Sequence, residues 1–365
     1  MPFYLGKDKD MSRQSISQIN LMFVISGFLI GTALLLIPTA VIAFARQDAL
    51  IALFLGMLPS FLLILMLSSL QSKFPGKTLI QYSDEILGPY LGKLASIIYL
   101  WLVFHLAVLV LRNTGDFIGL AVLPRTPIVV IQAIVAIIAA FAVRSGIEVI
   151  TRVTLIIVTL VITFFMIINV MVISSAEFPR MLPFLDTNLK PIIRAAIITA
   201  SFPFGEIAVF AMIFAHIDST KTINKYAILG VLTGFAILAL ATLRSITVIG
   251  VCGSARYVYP ALEVVGEVPA SFIVQMMLTF NWYLITFVKF VICYYAFNFG
   301  LGQLLGLKNN SIVIPVGVII TAFSVYIYQN TIEETYFASH IWPVYSIPLE
   351  YGIPFLLWAL TKTRA

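Results

Sequence analysis

Gly31-Thr32-Ala33-Leu34-Leu35-Leu36-Ile37-Pro38 and Ser201-Phe202-Pro203-Phe204-Gly205-Glu206 interrupt two runs that are otherwise long and apolar. Gly27 precedes the first interruption by one turn. Lipid offers no hydrogen bonds, so unwound backbone at membrane depth persists only where protein or a water-filled cavity surrounds it. A helix break in such a run therefore points to a site. Gly31 and Gly205 stand almost half of the chain apart, each in the first span of a five-span half, which suggests an inverted repeat. In transporters built this way, half-helix N-termini present N–H donors to an anionic group while freed carbonyls hold a cation or amine. A small zwitterion suits both ends. The plainer reading is also open, since Gly and Pro are common in membrane helices and Gly27-xxx-Gly31 is a helix-packing pattern.

The composition agrees with a membrane chain. Of 365 residues, 61% are hydrophobic and 10% charged, with a mean hydropathy of +1.05, against about 45–50% apolar and about 25% charged in soluble domains. A soluble enzyme, a nucleic-acid binder and a disordered scaffold are excluded. Bilayer crossing needs about 20 apolar residues per helix, and the polar and Pro/Gly breaks give ten spans. They lie near 17–43, 49–70, 94–121, 127–143, 147–174, 188–215, 223–252, 272–306, 311–329 and 342–361. The runs show no alternation of the kind a barrel requires, so an all-α integral membrane protein is expected.

Basic residues orient the chain. With a cytoplasmic N-terminus, the inner side carries Lys7, Lys9, Arg13, Lys73, Lys77, Lys93, Arg144, Arg152, Lys221, Lys225, Lys308, Lys362 and Arg364. The outer side carries Arg46, Arg125, Arg180, Lys190, Arg194 and Arg256, and the ninth-to-tenth loop has Glu333 and Glu334 without a base. The positive-inside rule then places both termini in the cytoplasm. No cleavable signal is expected, because the first apolar run far exceeds an h-region of about 7–15 residues. The expected organisation is a cytoplasmic segment 1–15, a five-helix unit 16–174, an external linker 175–187, and a second five-helix unit 188–365.

Two stretches do not fit the spans. Gln71–Lys93, with Ser83, Asp84, Glu85 and Leu87-Gly88-Pro89, reads as a short interfacial helix or a loop. Tyr257–Ala270, with Pro260, Glu263, Glu267 and Pro269, is too charged to span and is expected at the external surface or partly re-entrant. Cys252 and Cys293 lie in apolar runs and read as packing residues.

Ionisable residues within spans mark pathways, relays or paired structural sites. Lys289 shares a small, partly polar helical face with Thr286, Cys293, Ala296 and Gly300. It can stand where a transporter holds sodium, carry a proton, or simply tether helices. Glu206 opens the second half of span six, where the helix N-terminus favours a carboxylate. It can compete with a ligand's carboxylate or turn away and pair, and Lys289 is one such partner. Trp101, His105, Arg112 and Asp116 share a stripe of span three. Arg112 and Asp116 fit an i, i+4 pair, while His105 reads as a titrating group or a packing element. Arg244 and Glu350, the latter between Pro348 and Pro354, face another helix or the aqueous boundary. Asn281 and Trp282 read as an interfacial anchor. No Walker A loop, HExxH, Asp-rich motif or Ser/Lys or Ser/His constellation is present, so no covalent catalysis, cofactor or metal is expected.

The chain resembles the B subunits of bacterial spore germinant receptors, a branch of the amino acid/polyamine/organocation superfamily. The resemblance rests on Ile16-Ser17-Gln18, the Gly31–Pro38 run, Gly146-Ile147-Glu148-Val149-Ile150-Thr151-Arg152, Phe202–Glu206, and Trp282 followed by Phe287-Val288-Lys289. It implies a LeuT-like fold of two inverted five-helix repeats with helices one and six broken. It also implies sensing of a germinant, commonly an amino acid, in the inner spore membrane, with an A subunit and a lipoprotein C subunit as partners. The candidate ligand-binding residues are Gly31, Thr32, Ala33, Ser201, Phe202, Phe204, Gly205 and Glu206. Lys289 is the candidate cation substitute or proton carrier, and His105, Arg112 and Asp116 are candidate gating or structural residues. A proton-coupled amino acid permease and a purely structural anchor of a receptor complex remain open beside the sensor.

Overall fold

Ser17 starts the first helix: its Oγ accepts from Asn20 N at 3.3 Å, and α1 runs Gln18–Ile30. The computed structural model describes residues 15–217, 222–266 and 271–363. Lys7, Lys9, Arg13, Lys221, Glu267, Pro269 and Arg364 lie outside the described residues. After Gly31 and Thr32 the chain resumes as α2 (Ala33–Ala45), then α3 (Ala49–Lys73), α4 (Leu79–Leu87), α5 (Pro89–Ala121), α6 (Ile128–Ser145) and α7 (Ile147–Val172). α8 (Leu189–Ser201) gives way at Phe202 to a tight 3₁₀ stretch, Gly205–Met212. There follow α9 (Ile223–Arg256), α10 (Pro260–Gly266), α11 (Ser271–Leu305) and α12 (Asn309–Tyr326). The last segment consists of α13 (Thr331–Tyr336), α14 (Trp342–Ile347) and α15 (Ile353–Thr363), joined by wide π-type turns over Phe337–Ile341 and Pro348–Gly352.

Among the described residues, eight helical segments are long and apolar enough to cross a bilayer on their own. The difference from ten has a local cause. α1 is only 13 residues long because Gly31 ends it, and the α2 half continues into the α3 segment. The final span is cut up near Pro343 and Pro348, which lack the N–H a regular helix needs. The chain is a nearly all-helical, multi-pass membrane protein.

The broken helices run through the interior. α1 packs on α9, α7 and α11, while α2 touches α9 and α8, and α8 lies along α3. Small residues permit these approaches. An added Cβ at Gly230 would come 2.8 Å from Met22 O, and one at Gly234 3.0 Å from Leu29 Cβ. Gly27 packs against Val158 of α7 and Ile285 of α11, so the small-residue pattern does serve packing. Ile16 N donates to His216 O at 2.7 Å, tying the start of α1 to the end of the interrupted α8 segment.

The two atypical stretches form short helices. α4 is closed by a capping box in which Thr78 N donates to Gln81 Oε1 at 3.1 Å, and it buries Leu79, Ile80, Tyr82 and Ile86 against its neighbours. α10 buries Pro260, Ala261, Val264 and Val265 beside α9 and α11. α9 kinks at Gly250 (φ 75°, ψ 171°), which releases carbonyls from the ladder. They find other donors: Glu177 N reaches Thr247 O at 2.9 Å, Ser254 Oγ reaches Ser245 O at 3.0 Å, and Arg180 donates to Val248 O. The 175–187 segment is anchored by Asp48, wholly buried, whose carboxylate accepts from Leu185 N at 2.8 Å and Thr187 N at 2.9 Å.

Two expectations fail here. Asn281 and Trp282 are both fully buried, and the Trp282 ring centre lies 4.3 Å from that of Phe117, so they are core residues rather than an interfacial anchor. α11 is 35 residues long, and the stretch Ser271–Phe280 precedes them. Cys252 is exposed and does not pack, whereas Cys293 is buried.

Candidate functional site

The two interruptions meet at one lysine. At Gly31 the backbone leaves helical geometry, and α2 restarts two residues on. At the second break Phe202 is extended, and Phe204 N bonds Thr199 O at 3.3 Å before the 3₁₀ stretch begins. Lys289 of α11 donates to Glu206 Oε2 at 2.5 Å and to Thr32 Oγ1 at 3.1 Å. Its ammonium also stands 4.9 Å from the Phe202 ring centre and 5.2 Å from that of Phe28, close enough for cation–π attraction. Lys289 is 0% exposed, Thr32 1% and Glu206 2%, so the cluster is closed from solvent.

Both glycines are required by close approach. A Cβ on Gly31 would lie 2.7 Å from Lys289 Cδ and 3.0 Å from Phe28 O. A Cβ on Gly205 would overlap the Glu350 carboxylate and come 2.7 Å from Ala200 O. Glu350, fully buried in the Pro348–Gly352 turn, thus adds a second carboxyl group within electrostatic range of Glu206 and Lys289. Tyr351, beside it, donates its hydroxyl to Ala200 O at 2.8 Å, near the end of α8. Four separate segments therefore converge on the breaks.

The remaining candidates are distributed around this cluster. Ala33 and Phe204 are buried, and Ser201 Oγ donates back to Ile198 O at 2.9 Å within its own helix. On the Lys289 face, Thr286, Cys293, Ala296 and Gly300 are all buried; Gly300 packs against Leu100 and Met212. His105 sits in an aromatic box of Trp101, Phe337, Trp342 and Tyr345, with Nδ1 3.4 Å from the Tyr345 hydroxyl. Arg112 Nε bonds Asp116 Oδ2 at 3.0 Å, and its Nη1 reaches Ser324 O at 3.4 Å and Val325 O at 3.1 Å, capping the end of α12. His105, Arg112 and Asp116 belong to a separate polar and aromatic region, away from the Lys289 contacts. Arg244 is buried with its guanidinium 5.4 Å from the Phe165 ring centre.

Sequence reasoning missed Phe28, Tyr351 and Glu334. Phe28 stands one turn before Thr32 on α1, so helical spacing from the break was a usable signal. Glu334 of α13, beyond the end of α12, is 3% exposed. Burial holds its carboxyl well above the usual carboxylate range, Asp116 adds to this by charge and hydrogen bonding, and Arg112 opposes it.

Residues 15–333 match the family described as "Spore germination protein" (Spore_permease). The chain belongs to this family. It is 27% identical over 357 residues to Spore germination protein KB of Bacillus subtilis (strain 168), covering 96% of this chain and 94% of that one. It is 22% identical over 357 residues to Spore germination protein B2 of the same organism, covering 96% of each. By structure, this spore germination family member is similar to MhsT solved in complex with L-phenylalanine, with a TM-score of 0.71, 13% identity, and coverage of 96% of this chain and 99% of that one. It is also similar to Mhp1, a nucleobase-cation-symport-1 family transporter, with a TM-score of 0.66, 14% identity, and coverage of 94% and 78%. The fold is that of LeuT-like transporters, and the family is not one of enzymes.

Proposed function

We propose that this chain is the germinant-sensing membrane subunit of a spore germination receptor, binding a small zwitterion between the breaks at Gly31–Ala33 and Ser201–Glu206. The observation that carries the reading is the buried Thr32–Lys289–Glu206 cluster, which joins both breaks to α11. An amino acid offers a carboxylate to Lys289 and to the free N–H groups at the start of α2, and an ammonium to Glu206 and the freed carbonyls. Solute contacts then replace the internal ion pair, so occupancy changes how the two broken helices sit on α11. Lys289 supplies a fixed positive charge, which makes the site independent of sodium. Amino acids are the first class to test, since the similar MhsT was solved with L-phenylalanine.

The same proposal includes a ten-span topology. Units 16–174 and 188–365 form two inverted five-helix repeats joined by 175–187, with both termini cytoplasmic and the chain in the inner spore membrane. Occupancy is passed to a receptor A subunit and a lipoprotein C subunit, by shifting a conformational equilibrium rather than by obligatory transport.

The test is a thermal-shift screen of the detergent-purified chain against amino acids, sugars and nucleosides, with and without sodium. A selective, sodium-independent stabilisation by an amino acid, lost in Gly31→Leu and Gly205→Leu, is expected. A flat response from folded protein removes the self-contained site. Unchanged binding in Lys289→Met removes the electrostatic role of the lysine.

A second reading, a proton-coupled amino acid permease, draws on Glu350. One ammonium faces two carboxyl groups, so the cluster is neutral only when one carboxyl carries a proton. Concentrative uptake by the chain alone in liposomes, driven by a pH gradient, would favour this reading.

A further inference from the structure

α9 carries a guanidinium for which the described residues supply no counter-ion. Arg244 is 5% exposed, its Nε and Nη1 are buried without a hydrogen-bond partner, and no ion pair among the described residues includes it. Arginine cannot shed its charge to escape the cost, as a lysine or a carboxyl group can. The Phe165 face at 5.4 Å offsets only part of the lost hydration. The acid on the adjoining loop, Glu177, is already engaged: its two oxygens accept from Arg180 Nε at 2.9 Å and Nη2 at 2.8 Å.

Beside Arg244 is a cavity of about 90 Å³, between α7 and α9, which Asn169, Ala176, Phe178 and Thr247 also line. At about 30 Å³ per water in the liquid, this holds roughly three waters or one small ion. Ile173 and Phe178, which are 63% and 58% exposed, are among its lining residues.

We propose that Arg244 binds a small, singly charged anion in this cavity, and that the anion is its missing counter-ion. Two sources share that chemistry, a dissolved halide and the phosphate of a lipid headgroup. The site is distinct from the Lys289 cluster, which has its own carboxylates.

The experiment follows thermal unfolding of the purified full chain at fixed pH and ionic strength while chloride replaces gluconate, an anion too large for the cavity. Wild type is expected to show a saturable rise in Tm with chloride or bromide. Arg244→Met removes that rise and melts above wild type in gluconate, because an apolar side chain then replaces an uncompensated charge. Arg244→Lys keeps a response, with weaker apparent affinity. A rise in gluconate on adding phosphatidylglycerol but not phosphatidylcholine, lost in Arg244→Met, assigns the headgroup as the source. The proposal is overturned by a wild-type Tm that neither anion moves, or by a response that persists in Arg244→Met. It is equally overturned if Glu267→Gln lowers Tm and creates a chloride response absent from wild type, since the counter-ion would then be internal.

Discussion

Glu350 occupies the space that a side chain on Gly205 would need: an added Cβ would overlap its carboxylate and stand 2.9 Å from its Cδ. The glycine at the second break is thus held by a residue from the Pro348–Gly352 turn, 145 positions later in the chain. Overpacking a tight core costs about 1–3 kcal/mol, so Gly205→Ala should lower Tm. Glu350→Ala in the same chain should recover part of that loss, since the Ala200 carbonyl remains in the way. Additive effects of the two substitutions would show that the contact does not govern the break.

Lys289 and Glu206 should be strongly non-additive. Removing one member of a buried ion pair leaves an unpaired charge and costs about 3–5 kcal/mol, whereas replacing both with apolar groups is often nearly neutral. Lys289→Met is therefore expected to melt far below wild type, and Lys289→Met with Glu206→Leu to melt well above that single variant. A double-mutant cycle in urea or by thermal melting reads the coupling. A coupling near zero would mean that the pair does not hold α11 to the 3₁₀ stretch.

Which parts of this arrangement the sequence discloses follows from the range of each signal. Long apolar runs and their Gly/Pro interruptions are local features, so the membrane class and both breaks are legible. The charged residues Lys289, Glu206 and Glu350 stand out against apolar neighbours for the same reason. Their pairing is legible only as one open alternative, since Glu206 and Lys289 are 83 positions apart and no periodicity relates the register of the α8 segment to that of α11. Trp282 misleads because it opens the apolar part of its span, where a tryptophan reads as a boundary residue, while contact with Phe117 of another helix buries it, and no local pattern discloses that contact. Glu334 is hidden by its neighbour. Glu333 serves an exposed turn, its carboxylate accepting from Gln329 N at 2.8 Å, and nothing in the pair of letters tells which acid is buried.

Arg112 should prove structural rather than a gate. It holds the carbonyls of Ser324 and Val325 at the end of α12 and pairs with Asp116, and both side chains are almost wholly buried. Arg112→Met leaves the buried Asp116 carboxylate without its cation, and should cost about 3–5 kcal/mol. Asp116→Asn in the same chain should return part of it. If Arg112→Met instead preserves Tm while altering solute response, the residue acts in gating.

The carboxyl pair also sets an expected pH dependence. Glu334 is buried beside Asp116, and burial first, then that neighbour, raises its folded-state pKa above the ordinary value near 4.3. The folded protein then holds this proton more tightly than the unfolded chain. Stability from the group is fully present below the unfolded pKa and is lost as pH rises through the folded one. Wild type should therefore melt at progressively lower temperature from mildly acidic toward alkaline pH. Glu334→Gln cannot ionise, so it should flatten this slope and melt above wild type at the alkaline end, while resembling wild type at the acidic end. The comparison needs only melting curves of the two proteins across pH at constant ionic strength. An equal slope in both would place the titrating group elsewhere.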